Sequence, residues 1–90
     1  MELQDIRKEI DAVDGELVEL FCKRMELSAA VAEYKRRTGT AVLDPEREKE
    51  IITNACERSC GELEEYTRIL YTTILELSRR YQSRLLDGGN

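Results

Sequence analysis

Six polar side chains at helical spacings bound the chemistry open to this sequence: Arg24 with Lys35, Arg47 with Glu48, and Ser78 with Gln82. Arg24 lies within apolar residues that recur in steps of three and four: Leu3, Ile6, Ile10, Val13, Leu17, Leu20, Arg24, Leu27, Val31, Tyr34. That spacing is a heptad seam, and Arg24 takes one of its core positions. A guanidinium keeps its proton, so turning it inward requires an anion or several acceptors opposite it. The seam therefore encloses either a carboxylate partner or a place for an anionic ligand.

Lys35 follows Arg24 by eleven residues, three turns on and about 20° round the helix, so both can flank one elongated pocket. Glu48 heads an inward stripe with Ile51, Ile52 and Ala55, and Arg47 stands beside it. Ser78 and Gln82 continue a stripe through Tyr71 and Ile74 towards Leu85. In one reading Arg24 and Glu48 form a buried ion pair while Ser78 and Gln82 satisfy local backbone. A buried pair seldom adds net stability over apolar packing, however, so a core serving stability alone would favour Leu at position 24. In the other reading these groups line a ligand pocket. There is no His, no Gly-rich phosphate cradle, and no Ser or Cys with a recognisable activating base. Fixed cations and neutral donors in a dry bundle can hold a small carboxylate-bearing molecule, restrict its conformation and stabilise developing charge. The sequence shows no metal-ligand cluster either, and chemistry limited to those means is unimolecular, a rearrangement or an elimination without enzyme-bound intermediates.

Three helices must position these groups, giving an all-α fold with one long, one short and one medium helix. The first is predicted over about 3–37, some 50 Å at the standard rise, and Gly39 ends it. The second spans about 44–60, with Asp44 as N-cap, Pro45 in the first helical position and Glu46 suiting the dipole. Gly61 breaks it. The third runs over about 62–86, and Asp87-Gly88-Gly89-Asn90 reads as a frayed tail or the stump of a linker.

Ninety residues make a single domain, 1–90, near the lower limit for an independent core, and the first helix is too long for such a globule to cover. Arg7 sharpens this point. It lies 28 residues before Lys35, about 42 Å along one helix, so no small ligand touches both within one chain. Two first helices packed antiparallel about a point near Leu17 bring Arg7 of one chain near Ser28 of the other. A functional Arg7 thus implies a homodimer with sites shared between chains.

Charged residues make up 37% of the chain and net charge is -5. The absence of a basic tract argues against nucleic acid and against attraction to anionic membranes. The start is charged and amphipathic and no apolar run spans a bilayer, so a cytoplasmic protein is expected. Cys56 and Cys60, one helical turn apart, are positioned to bring two thiols together. With Cys22 and no His they make no structural zinc site, and reduced, semi-buried thiols are expected.

The stretch Ile6-Arg7-Lys8-Glu9-Ile10-Asp11-Ala12-Val13-Asp14, then Leu20 through Leu27, then Val31-Ala32-Glu33-Tyr34-Lys35, resembles the first helix of the all-helical (AroQ-type) chorismate mutases. Asp44-Pro45-Glu46-Arg47-Glu48 resembles that family's second-helix start, and Ser78 with Gln82 its third-helix pair. The resemblance covers essentially the whole chain, and the ordered set is more specific than any single motif. It implies an intertwined homodimer, two composite sites, no cofactor, and the Claisen rearrangement of chorismate to prephenate in phenylalanine and tyrosine synthesis. It further implies that Arg24 and the other chain's Arg7 pair with the two carboxylates of chorismate, with Arg47 supporting the charge balance. Lys35 and Gln82 then donate to the ether oxygen, Glu48 receives the ring hydroxyl with help from backbone at Asp44, and Ser78 contacts a carboxylate.

Two alternatives use the same residues. An isochorismate pyruvate-lyase on this scaffold needs almost the same cations and eliminates pyruvate. A non-catalytic helical dimerisation or sensing module predicts no turnover of chorismate. The chain is equally compatible with a free-standing enzyme and with a module of a larger one.

Overall fold

The computed structural model describes residues 1–87, and the expectation for the tail beyond Asp87 lies outside them. Helix α1 spans Leu3–Thr38, α2 spans Pro45–Arg58 and α3 spans Glu64–Leu86, with a 3-10 turn over Gly61–Leu63 leading into α3. The described residues form an all-helical protein with no strand. None of their helices is long and apolar enough to cross a membrane.

Local chemistry accounts for most of the helix ends. Glu2 and Asp5 form a reciprocal capping box at the start of α1, where the Glu2 N–H donates to Asp5 Oδ2 at 3.2 Å. Gly39 closes the helix at φ +70°, a left-handed conformation that glycine adopts without a Cβ penalty. Its N–H and that of Thr40 both donate to the Lys35 carbonyl. Asp44 caps α2, accepting from the Arg47 N–H at 3.2 Å, and Pro45 occupies the first turn.

The α2–α3 corner departs from expectation. Helix α2 ends at Arg58 rather than at Cys60, and α3 begins at Glu64 rather than at 62. Ser59 leaves helical geometry at ψ 153°, and its hydroxyl lies 2.6 Å from that of Thr67 on α3. That bond across the corner accompanies a turn of the chain two residues before Gly61. The cysteines consequently part: Cys56 is buried with its sulfur 4.0 Å from the Glu64 carbonyl, whereas Cys60 is exposed on the corner. They do not share a helical face.

Helix α3 packs against both α1 and α2. Arg36 ties the far ends together by donating to the Leu85 carbonyl at 2.9 Å. The heptad seam, however, is not the core of the single chain. The α1 residues buried against α3 are Ser28 and Ala32, whose small side chains allow close helix approach. They belong to a stripe through Arg24, Ser28, Ala32 and Lys35, next to the large apolar one. The seam itself stays open, from Leu3 and Ile10 to Leu17 (56% exposed) and Leu20 (64%), and on to Leu27 and Tyr34. Tyr66, Ile69 and Leu70 on α3 are likewise exposed.

The dimensions agree with that open face. The principal extents are 54 × 28 × 15 Å and the radius of gyration is 16.2 Å, against about 12 Å for a compact chain of this length. The accessible surface of 7265 Å² exceeds by roughly 1,900 Å² what a compact monomer of this mass exposes.

Candidate functional site

Where the three helices converge, the chain buries as many polar as apolar residues, an unusual share for a core. Ala32, Cys56 and Leu75 are its buried apolar residues, while Ser28, Ser78 and Gln82 are buried polar ones. All three polar residues line a single cavity of about 410 Å³, a size suited to a small organic ligand.

Helix α1 contributes Arg24 and Lys35 to this cavity. α2 adds Arg47 and Glu48 beside its cap Asp44, and α3 supplies Ser78 and Gln82. Seven of the eight predicted site residues thus meet in one place. The eighth, Arg7, is exposed near the start of the same continuous helix as Lys35, so the chain does not itself bring it to the cavity.

Arg24 Nη1 donates to Ser78 Oγ at 3.1 Å, and Ser28 Oγ donates to the same oxygen at 3.1 Å. Ser78 in turn lies 3.9 Å from the Met25 sulfur. This network fixes the guanidinium at the cavity wall, half-buried, with hydrogen-bonding capacity left over, since Arg carries five N–H donors. At the opposite end Lys35 Nζ donates to the Val42 carbonyl at 2.7 Å, holding the 39–44 loop over the cavity. Arg47 pairs with Glu50 on the exposed side of α2. Gln82 Oε1 is buried and has no hydrogen-bond partner among the described residues. An orphaned buried amide oxygen costs about 1–3 kcal/mol, and a half-turn of the amide would present N–H at the same point, so Gln82 is equipped to meet a polar guest.

Glu48 does not pair with Arg24. Its Oε1 accepts from Arg79 Nη1 at 2.5 Å, joining α2 to α3. The Arg24–Glu48 pair, one of the two sequence readings, is therefore absent, and Ser78 bonds across to α1 rather than satisfying local backbone. Arg79 also lines the cavity and was not among the residues expected there. Its signal is present in the sequence, since Leu75, Ser78, Arg79 and Gln82 follow an i, i+3, i+4, i+7 pattern. A stripe drawn through Tyr71 and Ile74 passes just beside it.

Electrostatically the cavity runs against the rest of the molecule. Arg24, Lys35, Arg47 and Arg79 face Asp44 and Glu48, four cations against two carboxylates, in a chain of net charge -5. The excess of two positive charges suits a dianion. With donors on three helices and an acceptor at Glu48, the cavity can orient a dicarboxylate and stabilise negative charge on one of its oxygens.

Comparison with known proteins points the same way. A family model described as chorismate mutase type II matches residues 6–83. A chorismate mutase of Methanocaldococcus jannaschii is 33% identical over 88 residues, covering 94% of this chain and 88% of its own. A T-protein of Haemophilus influenzae is 48% identical over 46 residues, 51% of this chain but 12% of that protein. A 4-amino-4-deoxychorismate mutase of Streptomyces venezuelae is 41% identical over 46 residues, 51% of this chain and 45% of that protein. The chain thus spans only a small part of some relatives and most of another. No solved structure matches it. A match that runs from the seam of α1 past Gln82 takes in every helix that builds the cationic cavity, and on that ground the chain belongs to the type II chorismate mutase family.

Proposed function

We propose that this domain catalyses the rearrangement of chorismate to prephenate, on the route to phenylalanine and tyrosine, within a cavity that a second copy of the chain completes. The observation that carries this reading is the cavity itself. Cations, neutral donors and two carboxylates from three helices and the α2 cap converge there with surplus positive charge in an acidic chain.

In this reading Arg24, held by Ser78, grips one carboxylate of the substrate, and Ser78 contacts the same group. Arg7 of the partner subunit grips the other carboxylate, and Arg47 at the rim adds to the charge balance. The substrate is thereby held in the folded conformation that brings the ends of its enolpyruvyl chain and ring together, which lowers the entropic part of the barrier. As the C–O bond breaks, negative charge grows on the ether oxygen. Lys35 and Gln82 donate to that oxygen, and their bonds strengthen most in the transition state. Glu48 accepts from the ring hydroxyl, with Asp44 backbone beside it. No residue forms a covalent intermediate, and the pericyclic step needs no cofactor.

The open apolar face supports a homodimer. An excess of roughly 1,900 Å² per chain is about 3,800 Å² per pair, within the range of obligate homodimer interfaces. Leu17 lies near the middle of the exposed seam. Antiparallel pairing about it carries Arg7 of the partner subunit towards Ser28, between Arg24 and Lys35. The proposed enzyme is cytoplasmic.

The test is loss of chorismate absorbance with formation of prephenate, comparing wild type with Lys35→Ala and Gln82→Ala. A wild-type rate no better than either variant overturns the reading. Isochorismate, assayed for pyruvate release, separates a lyase. 4-Amino-4-deoxychorismate belongs in the same assay because the Streptomyces relative carries that substrate in its name.

A further inference from the structure

We infer that Arg79 is a positioning residue that sets which ring substituent the cavity accepts, tuning Glu48 to a neutral hydroxyl and against a cationic amine. This inference rests on the mutase reading and deepens it.

The Glu48–Arg79 pair differs from every other ion pair among the described residues. The others join residues three or four apart on one helix, and all their side chains are at least 47% exposed. Such solvated pairs contribute little. Glu48 and Arg79 join α2 to α3 across 31 residues, and their side chains are 22% and 35% exposed. Both line the cavity.

Two consequences follow from that geometry. The first is orientation. A carboxylate has two oxygens and about four lone-pair sites, and the described residues place one hydrogen bond on Glu48, at Oε1. Arg79 thus anchors one side of the carboxylate to α3 and leaves acceptor capacity for a substrate donor.

The second consequence is charge. A bare carboxylate attracts a protonated amine more strongly than a hydroxyl. With Arg79 against it, Glu48 offers a hydrogen-bond acceptor whose charge is largely compensated. A hydroxyl loses little by this, whereas an ammonium meets a second positive charge within a few ångströms. Discrimination here comes from the repulsive element as much as from the attractive one.

The experiment measures kcat and KM for chorismate and for 4-amino-4-deoxychorismate with wild type, R79Q and R79K. Gln retains a donor for Glu48 without the charge, and Lys retains the charge with a different shape. In R79Q the ratio of kcat/KM for chorismate to that for the amino compound is expected to fall about tenfold, the scale of a single partly screened charge contact. R79K is expected to hold the ratio within about threefold of wild type, as the charge requires. A residue that merely held the helices together would lower both substrates equally in R79Q, and an unchanged ratio overturns the inference while leaving the mutase reading intact. A wild type that converts neither compound overturns the mutase reading, and this inference with it.

Discussion

Arg24 on α1 and Ser78 on α3, 54 residues apart in the sequence, share a 3.1 Å hydrogen bond inside the cavity. The guanidinium is therefore fixed in place by the fold before any anion arrives, and the reorganisation a flexible cation would undergo on binding is avoided.

Arg24→Ala should accordingly do more damage than loss of a surface charge. A dianion in the cavity would be left with an unpaired carboxylate, a loss of about 2–5 kcal/mol in kcat/KM. Steady-state rates measure it, and an unchanged circular dichroism spectrum shows that the helices survive.

Gln82→Ala and Lys35→Ala remove the two donors assigned to the ether oxygen. Each should lower kcat by about 10²–10³-fold, as loss of an oxyanion-hole donor does elsewhere. An effect confined to KM would move these residues from transition-state stabilisation to ground-state binding.

Mixing inactive Arg7→Ala and inactive Arg24→Ala chains offers a test of shared sites. One pocket of each heterodimer regains an intact Arg24 together with an intact Arg7 from the other chain. Activity should return after subunit exchange, and no recovery after verified exchange would refute the shared site.

Leu17→Glu probes the open seam. In a lone chain this half-exposed position tolerates a carboxylate almost freely. In a helical dimer the same change buries a charge at the crossing point, costing several kcal/mol. Sedimentation should show a shift to monomer with parallel loss of activity, and an unaltered association state would contradict the antiparallel pairing.

Gly39→Ala tests the end of α1. Nothing lies within 4 Å of a Cβ placed there, but the backbone sits at φ +70°, so the cost is conformational alone, about 1–2 kcal/mol. Urea unfolding measures it.

Much of this arrangement was legible in the sequence because its signals are local. Gly39, the Asp44-Pro45 start and the three-helix order follow from neighbouring residues, and the inward phases of Arg24, Lys35 and Glu48 follow from helical periodicity. What periodicity does not specify is the partner of each face. The seam from Leu3 to Tyr34 is regular, yet the stripe that meets α3 is the quieter one through Ser28 and Ala32. The end of α2 was out of reach for a similar reason, since it is accompanied by the Ser59–Thr67 bond between segments. Arg79 stands one residue beside the stripe through Ser78 on α3, and its pairing with Glu48 depends on how α2 meets α3, which periodicity does not specify.

The unbroken 36-residue length of α1 also makes it a ruler. Removing one residue between Arg7 and Arg24 would slide the two groups together by about 1.5 Å and swing one round the other by about 100°. A seven-residue excision would restore the angle almost fully yet leave a gap of some 10 Å in reach. In the shared-site reading, substitutions away from the site residues and the apolar seam are tolerable along this rod where insertions and deletions are not, and its length becomes as much a functional parameter as any side chain it carries.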